Sequence, residues 1–407
     1  MKLTSCTRIL EYEANVKFKR IYEKPLSSIL LLGPRGTGKS TFIKTEAQPN
    51  LIIDLLKQET YRKLSLNPSL LEEMVSHLKP QHSVLIDEIQ KIPALLDEVH
   101  HLIEDKNIIF YLTGSSARKL KKDGTNLLAG RALSKKMFCL SLKEIGQAKS
   151  IQSLLFSGSL PKVVTEPNND QINDFLFTYV ETYLKEEVFQ EGLTRNLNEF
   201  SKFIEIAGQY HGQIVNLANL SREIGKSGDT IKSWFQILQD TLIGQLIEPY
   251  PLKIAAKETK HQRFYYFDCG VARAAQGISA IEEIPEQRGF YLETIILNEI
   301  KIYLEVQRKK YKIFYYSISS FGDLDFIIET KKKTISAPAQ FVGIEIKFSK
   351  TWKPEYEKLL LKVKENKPQQ MQKAIGIYLG TQRLTRGPID VLPIYQFVDE
   401  LWKGQIF

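Results

Sequence analysis

The chain has 407 residues, 43% of them hydrophobic and 25% charged, with a formal net charge of +9. That length holds two or three domains with cores of their own, and the composition is ordinary for a globular protein. No window is apolar enough for a membrane span, and Glu11 and Glu13 stand where a signal peptide needs an apolar run. Three scattered cysteines support neither a disulfide framework nor a zinc cluster, so a cytoplasmic protein without a membrane partner is expected. The basic balance fits an acidic partner such as nucleic acid. Its clusters, Arg118 to Lys122, Arg308-Lys309-Lys310 and Lys331-Lys332-Lys333, also read as solvated loops or helix ends.

Residues 1–26 read as a helical lead-in of mixed charge, and Ser27 to Leu32 as a buried strand. The strand enters Gly33-Pro34-Arg35-Gly36-Thr37-Gly38-Lys39-Ser40, which satisfies the phosphate-loop pattern G-x-x-x-x-G-K-[ST]. The glycines let backbone N–H groups curl around phosphate oxygens, Lys39 reaches the β and γ phosphates, and Ser40 offers a hydroxyl to Mg²⁺. A helix beginning near Gly38 and running through Thr41 points its positive end at the same anion. Gly33 through Thr41 is therefore the expected segment for binding a nucleotide polyphosphate.

Leu51 to Asp54 reads as a second strand, and Asn67-Pro68 as the start of a helix carrying Leu70, Leu71, Met74, Val75 and Leu78. Ser83 to Glu88 is a strand ending in two acids, Pro93 opens a helix to about Glu104, and Ile108 to Thr113 is a further strand. Alternating apolar strands and helices specify a parallel sheet covered on both faces, an α/β core. At the strand end, Asp87 is expected to join Ser40 on Mg²⁺ and Glu88 to orient or deprotonate the attacking water. The plainer reading of such acids is a solubilising loop.

Leu32 to Arg35 leading into Gly38-Lys39-Ser40, then Leu85-Ile86-Asp87-Glu88-Ile89-Gln90-Lys91-Ile92-Pro93, then Leu112 to Leu120, then Leu128-Ala129-Gly130-Arg131-Ala132 carry a resemblance. The chain resembles the AAA-type P-loop ATPases of bacteria and archaea that carry an uncharacterised C-terminal domain. The resemblance implies ATP and Mg²⁺ as cofactors. It also implies a sensor position at Thr113 to Ser115, with Ser115 near the nucleotide, and Arg131 as an arginine finger acting within the chain or in a neighbouring subunit. Arg118 competes for that role, and a structural salt bridge is the plain alternative for Arg131. A strand from Lys136 to Leu142 is expected to close the ATPase domain, residues 1–150, with a helix beginning at Lys143.

Residues 151–195 read as a helical connector with the apolar stripe Phe175, Phe177, Tyr179, Tyr183 and Leu184. The family's Gly-Gly-x-Pro stands here as Gly158-Ser159-Leu160-Pro161, and an acid usually seen as Asp stands as Glu186 or Glu187. Residues 196–285 have the rhythm of a winged helix: a helix over Asn219 to Gly225, a turn, a helix over Thr230 to Leu238, and strands at Gly244 to Glu248 and Arg263 to Asp268. In a helix–turn–helix the second helix enters a major groove, and Lys232, Ser233 and Gln236 are its outward residues.

Residues 286–407 carry a second constellation. Glu293 lies on a helix, Asp325 on a strand, and Glu345-x-Lys347 on the next strand with both side chains on one face. This resembles the restriction-nuclease-like PD-(D/E)xK core, in which two carboxylates hold Mg²⁺ beside a phosphate and the lysine stabilises charge. Asp325, Glu345 and Lys347 are therefore candidate catalytic residues alongside Lys39, Glu88 and Arg131; a surface ion pair is the plain reading of Glu345 and Lys347. The whole reads as an α/β P-loop AAA-type ATPase core, then a winged-helix domain and a C-terminal α/β nuclease-like domain, acting on DNA. An ATP-gated switch or protein-interaction module without nuclease activity, and an ATPase-controlled Mg²⁺-dependent nuclease, are the alternatives. No motif fixes the number of subunits.

Overall fold

The computed structural model describes residues 18–116, 130–184, 197–254, 258–319 and 321–407. Strands β1 (Ile29–Leu32), β2 (Leu51–Asp54), β3 (Ser83–Asp87), β4 (Ile109–Gly114) and β5 (Leu133–Lys136) form a parallel sheet in the order β2-β3-β4-β1-β5. Strand alternation sends Leu30 and Leu32 of β1 into a cluster with Ile86, Leu96 and Phe110, and Ile29 and Leu31 into one with Phe42, Leu85 and Met137. Both faces are buried, which is why these strands read as unbroken apolar runs. All parallel strands end on the same side, so β1, β3 and β4 deliver Gly33, Glu88 and Ser115 to one edge.

Three expectations change in this part. Residues 18–26 of the lead-in are not helical, and residues 1–17 lie outside the described residues. A helix at Gln58–Leu66, buried only at Leu64, precedes the expected one, which spans Leu70–Val75. The closing strand is Leu133–Lys136 rather than Lys136 to Leu142. Met137 N still donates to Leu32 O at 2.7 Å, but the chain then leaves the sheet and Leu140 N donates to Ser159 O at 3.0 Å. The apolar run Met137 to Leu140 is buried by tertiary packing, Cys139 and Leu140 against the connector, instead of by strand pairing. Ser141 and Glu144 then form a capping box that starts the helix Leu142–Ile145.

The connector contains helices Ile151–Ser157, Pro161–Thr165 and Asn169–Thr178, the last continuing as a π-helical stretch Tyr179–Leu184. Ser150 and Asn168 cap two of them through their side chains, and Pro161 opens the other. Gly158 has φ 80°, and a Cβ there would lie 2.0 Å from Asp268 Oδ1. Only glycine admits that approach, whereas Ser159, where the family has glycine, donates its N–H to Asp268 Oδ2 at 2.7 Å. Glu186 and Glu187 lie outside the described residues.

Helices Leu197–Gln209, Leu217–Ile224 and Gly228–Asp240 follow, the last two capped by Asn216 and Ser227. An antiparallel ribbon, β6 (Gly244–Ile247) with β7 (Arg263–Tyr266), packs on them. Helix Cys269–Ala275 leads to the long helix Arg288–Val306. The C-terminal sheet holds β8 (Lys312–Ile318), β9 (Gly322–Lys331), β10 (Gln340–Lys347), β11 (Met371–Tyr378), β12 (Leu384–Arg386) and β13 (Ile389–Pro393), in the order β12-β13-β11-β10-β9-β8. Helices Lys358–Asn366 and Ile394–Trp402 complete it.

One hydrophobic cluster runs from Cys139 to Ile406 through the connector, the helix–turn–helix and the C-terminal sheet. Ile302 of the long helix also packs with Ile29 and Leu31, so the C-terminal part is seated on the first sheet through apolar burial. At roughly 1.5–3 kcal/mol per fully buried large side chain, such shared surface holds the parts as one body. Among the described residues no helix is long and apolar enough to cross a membrane.

Candidate functional site

The phosphate loop closes over the end of β1. Gly33 N donates to Gly114 O at 3.2 Å, and a Cβ on Gly33 would lie 2.2 Å from Met137 O, so the first loop glycine is required by packing as well as by any ligand. Gly36 and Gly38 have φ of 80° and 89°, the left-handed region that turns successive N–H groups inward. Thr37, fully buried, donates through Oγ1 to Pro34 O at 2.8 Å. Helix Lys39–Phe42 then passes directly into a π-helical turn, Ile43–Ala47, an irregularity frequent at functional sites. Lys39 is 5% exposed, and its Nζ donates to Gly33 O at 2.7 Å and Pro34 O at 3.0 Å. The ammonium therefore lies against the loop's own carbonyls. Thr41 is exposed.

Beside the loop, Ser40 Oγ donates to Asp87 Oδ1 at 2.6 Å, and Thr113 Oγ1 donates to the same oxygen. Three elements that are far apart in sequence thus meet on one carboxylate at the sheet edge. Glu88 follows with φ 62°, a strained conformation for a non-glycine residue and one that clusters at functional sites. That turn swings its carboxylate toward Gln90, whose Nε2 donates to Glu88 Oε2 and to Ser115 Oγ, the latter at 3.0 Å. Gln90 is buried, and its Oε1 has no protein partner. Ser40, Asp87, Glu88, Thr113 and Ser115 are therefore brought together.

Residues from outside the motif fix the loop from below. Arg20 Nη1 donates to Thr37 O at 2.6 Å, its Nη2 to Phe138 O at 3.0 Å, and its Nε pairs with Glu144 Oε1 at 2.8 Å. Tyr179 of the connector donates its hydroxyl to Arg35 O at 2.9 Å. The interactions of Arg20 and Tyr179 were not legible beforehand, because each depends on a contact with a distant segment. Gln90 carried a signal, its place directly after the acids in Asp-Glu-Ile-Gln.

Arg131 is not brought to the loop within this chain. It precedes β5, alongside residue 27 in register, and the loop begins beyond the opposite end of β1, roughly 20 Å away at strand rise. Arg131 instead pairs with Glu104, its Nε donating to Oε1 at 2.7 Å, so the plain salt-bridge reading describes it here. Arg118 lies outside the described residues.

The C-terminal residues converge as well. Glu293, Asp325 and Glu345 are all at most 7% exposed, Lys347 pairs with Glu345, and Ile346 N donates to Asp325 Oδ2 at 2.7 Å. Arg263 of β7 stands among them, its Nη1 3.5 Å from Glu293 and 3.8 Å from Asp325. Burial, reinforced by the Asp325 charge, pushes the Glu293 carboxyl up to about 8 and raises Glu345 well above the usual carboxylate range. Burial works against the charge of Lys347, yet Asp325 and Glu345 raise it. Among the described residues no group of three or more His, Cys, Asp and Glu is arranged to hold a metal ion. The acids of the expected Mg²⁺ pair therefore meet, with Lys347 of the motif and Arg263 from outside it as cations beside them.

Residues 27–146 match the family model described as an AAA domain, residues 148–282 a domain of unknown function (DUF8612), and residues 288–397 another (DUF4143). The chain carries an AAA-type domain followed by two domains without assigned function. It is similar to uncharacterized proteins of Mycobacterium bovis and Mycobacterium tuberculosis, each 24% identical over 356 residues, covering 85% of this chain and 76% of the relative. An uncharacterized Haemophilus influenzae protein is 23% identical over 276 residues, 63% of this chain and 65% of its own. Among solved structures, that of the Aeropyrum pernix ORC1 protein in complex with DNA overlaps at TM-score 0.28 and 10% identity, covering 63% of this chain and 87% of that one. Caenorhabditis elegans PCH-2 overlaps at 0.24 and 18%, covering 58% and 65%. Overlaps this low transfer neither fold nor function.

Proposed function

We propose that this chain binds ATP with Mg²⁺ on the loop Gly33 to Thr41, hydrolyses it, and couples nucleotide state to its C-terminal half. The observation that carries the reading is the meeting of Ser40, Asp87 and Thr113 on one carboxylate oxygen beside Lys39. The hydroxyl and carboxylate oxygens of Ser40 and Asp87 are hard donors of the kind Mg²⁺ takes, so the residues present fit that ion. When bound, Mg²⁺ supplies charge neutralisation across the β and γ phosphates. Lys39 exchanges the Gly33 and Pro34 carbonyls for phosphate oxygens. Glu88, positioned by the Gln90 amide, orients water in line with the γ-phosphate, and Ser115, held by the same amide, faces that phosphate as a sensor. Arg131 acts, on this reading, only from a neighbouring subunit.

The acceptor of the nucleotide signal is the helix–turn–helix with its ribbon, read as a winged helix, and the nuclease-like sheet. Lys232, Ser233 and Gln236 are exposed on the helix Gly228–Asp240, which supports contact with DNA. A second reading, an ATP-gated switch without nuclease activity, is favoured by Arg263 among the C-terminal acids. Purified protein should turn over ATP with Mg²⁺, and Lys39→Ala should lose binding and turnover. Turnover unchanged in Lys39→Ala refutes the ATPase reading. Acceleration by duplex DNA selects the DNA-acting machine, and its absence selects the switch.

A further inference from the structure

Arg263 belongs by sequence to the ribbon of the helix–turn–helix half, where β7 pairs with β6. Its side chain nevertheless ends in the C-terminal acid cluster and is 3% exposed. Nη2 donates to Asp323, Nη1 faces Glu293 and Asp325, and the guanidinium lies 4.8 Å over the ring of Tyr315. Tyr265, on the same face of β7, adds a hydroxyl that donates to Glu293 Oε2 at 2.5 Å. The ribbon therefore supplies both a permanent cation and a donor to carboxylates carried by the helix Arg288–Val306 and by β9. Arginine keeps its charge at every working pH and spreads it over a planar fork, so it compensates several acids at once.

A divalent ion bound by Glu293, Asp325 and Glu345 would need their oxygens within ~2.0–2.6 Å of one point. Instead, Nη1 of Arg263, 3.5 Å from Glu293 and 3.8 Å from Asp325, supplies positive charge to two of the three. Two buried atoms in this arrangement have no protein partner, Nε of Arg263 and Oε2 of Glu345. A buried network short of its hydrogen bonds carries the desolvation cost of its unpaired atoms. Glu345 Oε2 is a carboxylate oxygen, a hard donor of the kind such an ion takes, while Lys347 pairs with the other oxygen, Oε1.

We propose that Arg263 is a latch: it takes the place of a divalent cation in the acid cluster, keeps that cation out, and ties the β6–β7 ribbon to the C-terminal sheet. Withdrawing the ribbon frees Glu293, Asp325 and Glu345 for the metal. The latch thus makes the C-terminal site conditional on the posture of the helix–turn–helix half, and it does not depend on ATP turnover.

Titration of the nucleotide-free full chain with Mn²⁺, read by its electron paramagnetic resonance, tests this. Wild type should take up no ion at the cluster. Arg263→Met, which keeps length and loses charge, should bind one ion, and adding Glu345→Gln should abolish that binding. Asp323→Asn is the second variant, because the Asp323 side chain is 37% exposed and the buried Arg263 keeps Glu293 and Asp325 beside it. It loosens Arg263 and should let the cluster take up one Mn²⁺ where wild type takes none, and it decides the matter if Arg263→Met fails to fold. Wild-type binding that Glu345→Gln removes would overturn the latch, as would a folded Arg263→Met that binds nothing or an Asp323→Asn indistinguishable from wild type.

Discussion

Replacing Arg20 with methionine tests how the phosphate loop is held. The guanidinium contributes an ion pair to Glu144 at 2.8 Å, with the two side chains 7% and 1% exposed, and a hydrogen bond to Thr37 O at 2.6 Å inside the loop. Removing one partner of a buried pair costs roughly 3–5 kcal/mol. Glu144 keeps two backbone donors, Ile21 N at 2.7 Å and Ser141 N at 2.8 Å, so its charge is not stranded and the low end, about 3 kcal/mol, applies. With a urea slope of about 1–3 kcal/mol per molar, the first unfolding transition should move down by about 1–3 M. The freed Thr37 carbonyl also loosens the loop, so ATP affinity in equilibrium titration should fall by about tenfold, equivalent to 1.4 kcal/mol. A midpoint within ~0.3 M of wild type together with unchanged ATP affinity would refute the view that Arg20 holds the loop.

Gln90→Ala removes the amide that ties Glu88 to Ser115. ATP binding should be retained while turnover falls by about 10- to 100-fold, because the acid loses its defined position; equal loss in binding and turnover would point to a folding defect instead. Glu299 offers a pH test. Burial raises its carboxyl to about 7, against the hydrogen bonds from Trp402 Nε1 at 2.6 Å and Leu142 N at 2.7 Å. The folded state then binds a proton that the unfolded state releases above the ordinary value of 4.5, so this contribution is complete below that pH and lost as pH rises to about 7. The stability of wild type relative to Glu299→Gln should therefore decline across that window by about 3 kcal/mol, measured by urea unfolding at pH 5 and pH 8. Parallel pH profiles for the two proteins would show that Glu299 does not titrate there.

Local chemistry was legible in the order of residues. The loop Gly33 to Ser40 and the acids Asp87 and Glu88 at a strand end follow from short-range spacing, because turn geometry and strand alternation are set within a few residues. The helix–turn–helix elements likewise fall at Leu217–Ile224 and Gly228–Asp240, close to where periodicity places them. Contacts across long separations were not legible. Arg20 under the loop, Tyr179 on Arg35 and Arg263 among the C-terminal acids each look in sequence like any other polar residue, since burial and partner are decided by which segments the core brings together. The same cause moved the closing strand. Met137 to Leu140 is apolar enough to be a strand, but apolar burial has no direction, and tertiary packing supplied it before the sheet did. Spacing along the chain thus determined which chemistry is present, and only the tertiary packing decided which charges face one another, and hence whether the second constellation stands open or carries its own cation.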